Sequence, residues 1–289
     1  MKKEASIILI FLFIFCEKGI CEKLLPVEKQ IKISDDLTLH YVEQGAPDGD
    51  VVILLHGYSD SWHSYELVLP LLPKSLHVYA VSMRGHGNSS KPDGSYHPDV
   101  LAGDIVAFMQ KLGIHKAAVV GHSLGATVAQ SFATHYPEKT AAMVLVGAFA
   151  HFNKKVIYDF KSAVDSLQDP VDAAFAHEFQ KSTLYRPVSG HFFETVVNES
   201  TKLPVRVWKA AVSAMITCNY LDNLQQISVP TLLIWGDQDV FTPIEDQQLL
   251  HKAIKGSKLR ILKKVGHAVH WEEPERFSKD LVAFLGEAL

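Results

Sequence analysis

Cysteine is scarce in this chain. Of three, Cys16 and Cys21 sit within the first 21 residues and only Cys218 lies beyond them. A main body with one thiol has no disulfide framework and no cysteine–histidine metal cluster. Cys218 has no evident base beside it and reads as a small buried hydrophobe. Surplus positive charge is missing as well: 28 Lys and Arg stand against 32 Asp and Glu, a formal net charge of −4. No nucleic-acid partner is expected on that balance. Fifteen histidines are present, but H-E-x-x-H is not, so no metal is expected. "RGHGNSS" (Arg84 to Ser90) lacks the third glycine and the ribose-binding acid of a dinucleotide fingerprint, and no cofactor is expected either.

A membrane-length apolar run is also lacking. The stretch from Ala5 to Cys16 is 12 residues long and follows Lys2 and Lys3. That is short for a bilayer span and suits the core of a secretory signal. Residues 1–21 are therefore expected to be a signal peptide or membrane anchor, with the protein exported to the periplasm or secreted. Membrane contact is expected only through this leader, if it is retained or lipidated. Asn88-Ser89-Ser90 and Asn198-Glu199-Ser200 are glycosylation sequons, meaningful only in a host that glycosylates exported proteins.

What is present is a rhythm. "LTLHYVEQG" alternates like a half-buried strand, while "VVILLHG", "VYAVSMRG", "AAVVGHS", "AAMVLVGAF", "PTLLIWGD" and "LRILKKVGH" read as strands buried on both faces. Helical patterns such as "VLAGDIVAFMQKLG" lie between them. Strand–helix alternation predicts an α/β fold: a mostly parallel central sheet with helices on both faces. The rhythm is interrupted over residues 150–228, where helical, aromatic-rich patterns follow one another without a buried strand. The expected organisation is a core of residues 22–149 and 229–289 with a helical lid, residues 150–228, above the strand ends where such sheets bind ligands.

Chemistry concentrates in a few places. Gly121-His122-Ser123-Leu124-Gly125 follows the strand "AAVV" and opens a helical pattern, which is the strand–turn–helix setting that gives G-x-S-x-G its meaning. A serine hydroxyl is a weak nucleophile and needs an oriented base. His267 follows Gly266 after the last strand run, with His270 close by, and both Asp237 and Asp239 follow "PTLLIWG".

With "LLHGYSDSWHSY", "RGHGNSSKP", "GHSLG", "WGDQDVFTP" and "GHAVHWEEPERF" in this order, the chain resembles the α/β-hydrolase superfamily, in its lid-bearing serine esterase and lactonase-like branch, over about residues 30–289. The resemblance implies Ser123 as nucleophile, Asp239 as acid and His267 as base. The family's spacing after glycine selects Asp239 over Asp237, and His267 is preferred to His270 because it directly follows the glycine. The backbone amides of Leu124 and Tyr58 are the expected oxyanion donors. His56 is expected chiefly to brace the Tyr58 loop. A substrate pocket is expected to draw on His56, His122, Phe149, His270 and Trp271.

The implied function is cleavage of a small-molecule carboxylic ester or lactone through an acyl-enzyme. A serine in the elbow argues against epoxide hydrolases and haloalkane dehalogenases, which place a carboxylate there. Two alternatives stay open: a small-molecule receptor that retains the triad, and carbon–carbon bond hydrolysis or perhydrolase chemistry at the same site. The sequence carries no signal for an oligomeric state.

Overall fold

A computed structural model describes residues 26–289. The predicted leader, with Cys16 and Cys21, lies outside the described residues. No helix among those described is long and apolar enough to cross a membrane.

The chain opens with β1 (Val27–Lys32), β2 (Thr38–Gly45), β3 (Val51–Leu55) and β4 (His77–Ser82). There follow α1 (Pro98–Lys111), β5 (Ala117–His122), α2 (Leu124–His135) and β6 (Thr140–Val146). A run of helices then intervenes: α3 (Lys155–Asp165), α4 (Ala173–Ser182), α5 (Gly190–Thr201), α6 (Val205–Met215) and the short α7 (Leu221–Leu224). The sheet resumes with β7 (Thr231–Gly236), α8 (Ile244–Ala253) and β8 (Lys258–Leu262), and α9 (Val269–Glu272) and α10 (Pro274–Ala288) close the chain. All eight strands form one sheet in the order β1-β2-β4-β3-β5-β6-β7-β8. β2 pairs antiparallel with both β1 and β4, and the remaining five pairings, from β4 through β8, are parallel.

Side-chain alternation splits the core into two layers. Ile53, Leu55, Val119, Met143 and Leu233 face a layer shared with Ile105, Phe108, Val128 and Phe132 of α1 and α2. Val52, Leu54, Val120, Val144 and Ile234 face the other, against Phe277, Leu281 and Phe284 of α10. Strands covered on both sides must be apolar at every position, which accounts for the unbroken runs in β3, β5 and β7.

Two strand readings need correction. β2 is not half-buried: Leu39, His40, Tyr41 and Val42 are buried in succession, because β1 pairs along its outer side. His40 is accommodated there by Glu28 at 3.0 Å and by its amide donating to Ser89 Oγ. β8, conversely, is largely exposed because it is the sheet's other edge, and its Lys258 and Arg260 are the charges that discourage edge pairing.

The parallel strands all end on one side. Gly57 follows β3, Ser123 follows β5, Gly147 follows β6, Asp239 follows β7 and His267 follows β8.

Candidate active site

Ser123 occupies the junction between β5 and α2 with φ 52° and ψ −110°, a backbone conformation an L residue holds only when its surroundings over-determine it. The surroundings do so. A Cβ on Gly121 would lie 2.1 Å from the Gly125 carbonyl oxygen, and one on Gly125 would lie 2.2 Å from that of Leu55. Strand and helix therefore approach across two positions where only glycine fits. The Ser123 amide donates to Val146 O at 2.9 Å, fixing the turn to β6. α2 begins at Leu124, so the Leu124 N–H belongs to the helix's unpaired first turn and points its donor outward.

Asp239 is held rigidly. Its Oδ1 accepts from the Phe241 and Thr242 amides at 2.8 and 3.0 Å. Its Oδ2 accepts from Thr242 Oγ1 and, at 2.8 Å, from His267 Nδ1. With Nδ1 donating to the carboxylate, His267 Nε2 is the nitrogen left with a free lone pair. Ser123 and His267 line one pocket. Ser123 Oγ and His267 Nε2 are not hydrogen-bonded to each other or to any other described residue; serine–imidazole contacts commonly tighten only with substrate in place. Gly147, at φ 52°, clears space for the imidazole: a Cβ there would stand 2.9 Å from His267 Nδ1. Asp237 is turned elsewhere, accepting from the Lys264 amide at 2.6 Å and pairing with Lys263.

The loop after β3 supplies the opposite wall. The Tyr58 amide has no acceptor among the described residues, while its hydroxyl donates to Trp208 O at 2.5 Å. His56 is fully buried. Its Nδ1 donates to Gly57 O at 2.8 Å and its Nε2 accepts from the Met83 amide at 3.0 Å, so it pins the loop from behind.

The pocket lies between the strand ends and the helical insertion. Its apolar wall includes Phe149, Phe160, Phe179, Met215, Phe241 and Trp271, and its polar part consists of Ser123, His267, His122, Asp60, Gln180 and Thr183. His122, Phe149 and Trp271 line this cavity, whereas His56 and His270 do not. His270 is displaced because it turns into the core, where Nε2 meets Ser64 Oγ at 3.0 Å and its ring packs 4.6 Å from that of His122. Burial holds His270 down at about 3, with the His267 charge a lesser cause. His122 donates through Nε2 to the His267 carbonyl at 3.2 Å; burial, then His270 and His267, keep it neutral well below the ordinary imidazole range.

Sequence reasoning assigned no role to Asp60 or Gln180. Asp60 is 2% exposed. Its Oδ1 accepts from Gln180 Nε2 at 2.8 Å and its carboxyl also accepts from Ser64 Oγ at 3.3 Å. Burial nevertheless pushes its carboxyl up to about 7. Asp60 sits inside "HGYSDSW", but Gln180 lies in a helix with no motif around it. Phe241, two residues after Asp239, places its ring 5.1 Å from His267. Among the described residues no group of three or more His, Cys, Asp or Glu could hold a metal ion. The buried Cys218 thiol is raised to about 11 by burial.

Residues 50–274 match the model of the family described as the alpha/beta hydrolase fold. The chain is 26% identical over 275 residues to a putative 2-succinyl-6-hydroxy-2,4-cyclohexadiene-1-carboxylate synthase of Bacillus subtilis (strain 168), covering 88% of this chain and 97% of the relative. It is 25% identical over 284 residues to epoxide hydrolase 4 of Homo sapiens, covering 89% and 78%. A solved hydrolase from Pseudomonas aeruginosa PA01 aligns with a TM-score of 0.81 at 25% identity, covering 90% of this chain and 98% of that one. The family match spans most of the sheet and every strand-end loop described above, and on it the chain belongs to the α/β-hydrolase fold family.

Proposed function

We propose that the protein is a cofactor-free serine hydrolase that cleaves carboxylic esters or lactones of limited size through an acyl-enzyme. The relatives carry names for different reactions, so the chemistry has to be argued from the site itself. The observation that carries the reading is the pairing of a strained Ser123 with an Asp239–His267 hydrogen bond of 2.8 Å beside the same pocket.

In this mechanism His267 Nε2 takes the Ser123 proton as Oγ attacks the carbonyl carbon. Asp239 holds the ring in the Nδ1–H tautomer and stabilises the imidazolium that forms. The tetrahedral oxyanion is received by the Leu124 and Tyr58 amides, both free of other acceptors. His267 then passes the proton to the departing alkoxide, and water repeats the sequence on the acyl-enzyme to release the acid. A serine in the elbow supports ester or lactone cleavage over epoxide opening, which in this superfamily uses a carboxylate nucleophile. The apolar pocket supports an uncharged acyl group, and the helical insertion acts as its lid.

Turnover of p-nitrophenyl esters of graded acyl length tests the proposal. Ser123→Ala should lower kcat by about 10⁴-fold or more. Activity within a few fold of wild type in that variant would remove Ser123 from the mechanism.

A further inference from the structure

The turn that presents the Tyr58 amide is tied to the helical insertion by three consecutive side chains, each reaching a different helix. Tyr58 donates to Trp208 O on α6 at 2.5 Å. Ser59 Oγ meets Ser200 Oγ on α5 at 3.1 Å. Asp60 accepts from Gln180 Nε2 on α4 at 2.8 Å. Ser59 itself is held at φ 61°, a conformation that persists only where neighbours enforce it. Gln180 links the second and third of these ties, since Nε2 also donates to Ser200 Oγ at 2.8 Å.

One turn further along, the same helix end grips the other side of the site. Thr183 donates to Gln180 O through both its amide and its hydroxyl. Its own carbonyl accepts the His267 amide at 2.8 Å and the Ala268 amide at 3.1 Å. The adjoining segment is fastened too: Glu272 accepts from the Gly266, Tyr185 and Arg186 amides at 2.9, 3.0 and 2.9 Å. Asp60, Gln180, Thr183, Ser59 and Ser200 are all buried, so these bonds are not exchanged with water and their loss leaves unsatisfied groups.

We propose that Gln180 is a positioning residue: its side-chain amide fastens Asp60 and Ser200 to the end of α4, whose backbone already holds Thr183 and through it His267, so that this amide fixes the Tyr58 turn relative to His267. The inference rests on the serine-hydrolase reading. Both loops are irregular segments beyond the strand ends; they meet directly where Ser64 bonds His270 and Trp271, and they are bridged nearer the pocket by this helix turn. Losing the Gln180 amide leaves the Tyr58 turn with its Trp208 tie and frees Ser59 and Asp60 to relax. The expected defect is therefore in transition-state alignment and not in substrate affinity.

The test uses Gln180→Leu, which keeps side-chain bulk and removes the donor. A misplacement of this kind is expected to lower kcat by about 100-fold on a short-chain ester, with KM little changed. Affinity for a trifluoromethyl ketone, whose adduct carries the oxyanion, should fall by the same factor as kcat/KM. Wild-type kcat, a loss confined to KM, or a kcat loss without the matching ketone loss would each overturn the assignment. If Gln180→Leu gives no folded protein, Gln180→Asn withdraws the amide by one methylene and is read the same way. Fluorophosphonate labelling of wild-type Ser123 separates the two ideas: without it the hydrolase reading fails, and with it only the role of Gln180 is in question.

Discussion

Asp239 and Asp60 are two aspartates shielded from water beside one pocket, and the fold treats them differently. Asp239, in the loop after β7, receives two backbone amides, a hydroxyl and the His267 ring. Asp60, in the loop after β3, receives the Gln180 amide, the Ser64 hydroxyl and the Gly57 backbone amide, and burial outweighs them to bring its carboxyl up to about 7. Burial alone thus says little about what a carboxylate does. The supply of donors decides whether it is fixed in place to orient an imidazole or serves as an acceptor that joins two parts of the chain.

The same substitution at both positions breaks or sharpens that comparison. Asp239→Asn should lower kcat by about 10⁴-fold, because an amide lets the His267 ring adopt the wrong tautomer; steady-state kinetics on a p-nitrophenyl ester measures it. Retained activity there would mean that the carboxylate charge is idle.

Next in size is the elbow that faces Asp239 across the pocket. Gly125→Ala places a methyl 2.2 Å from the Leu55 carbonyl oxygen, against backbone that cannot step aside. It should cost about 3 kcal/mol or more of unfolding free energy, read by chemical denaturation, and should lower the yield of labelled Ser123.

Asp60→Asn should alter stability with a defined sign. The folded chain holds the Asp60 proton up to about 7, against an ordinary value of 3.8. Between those values the folded state binds a proton the unfolded state has released, so the wild type loses stability as pH rises through this window. The asparagine variant escapes that loss. Its melting temperature should exceed that of wild type at pH 8 by several degrees, with the gain shrinking toward pH 4. An equal gain at both pH values would show that Asp60 does not titrate in this window.

The smallest effect belongs to a pair remote from both aspartates. Lys155 and Asp159 meet on α3 with both side chains mostly exposed. Lys155→Ala should change stability by less than about 0.5 kcal/mol and leave turnover alone.

Legibility in sequence followed the range of the interactions. The parallel strands were legible because burial on both faces forces apolar runs, and Ser123 because its two glycines are demanded within five residues by backbone contact. Asp239 and His267 stood in motifs directly after strands. The edges were harder. β1 carries the sequence VEKQIK with little burial and gives no apolar signal, and the exposure of β8 depends on which strand ends the sheet. The Asp60–Gln180 joint was out of reach because its partners are 120 residues apart, and a glutamine on an amphipathic helix looks the same whether it meets water or a carboxyl. His270 shows the converse: its place one turn beyond His267 suggested the pocket, but α9 directs it to Ser64 and the core.

Mass spectrometry of the protein quenched during turnover of a slow ester most directly tests whether Ser123 carries the acyl group. The account predicts one added acyl mass, mapped by proteolysis to the peptide containing Ser123 and missing from Ser123→Ala. Steady turnover with the acyl mass on another residue, or undiminished turnover by Ser123→Ala, would contradict it.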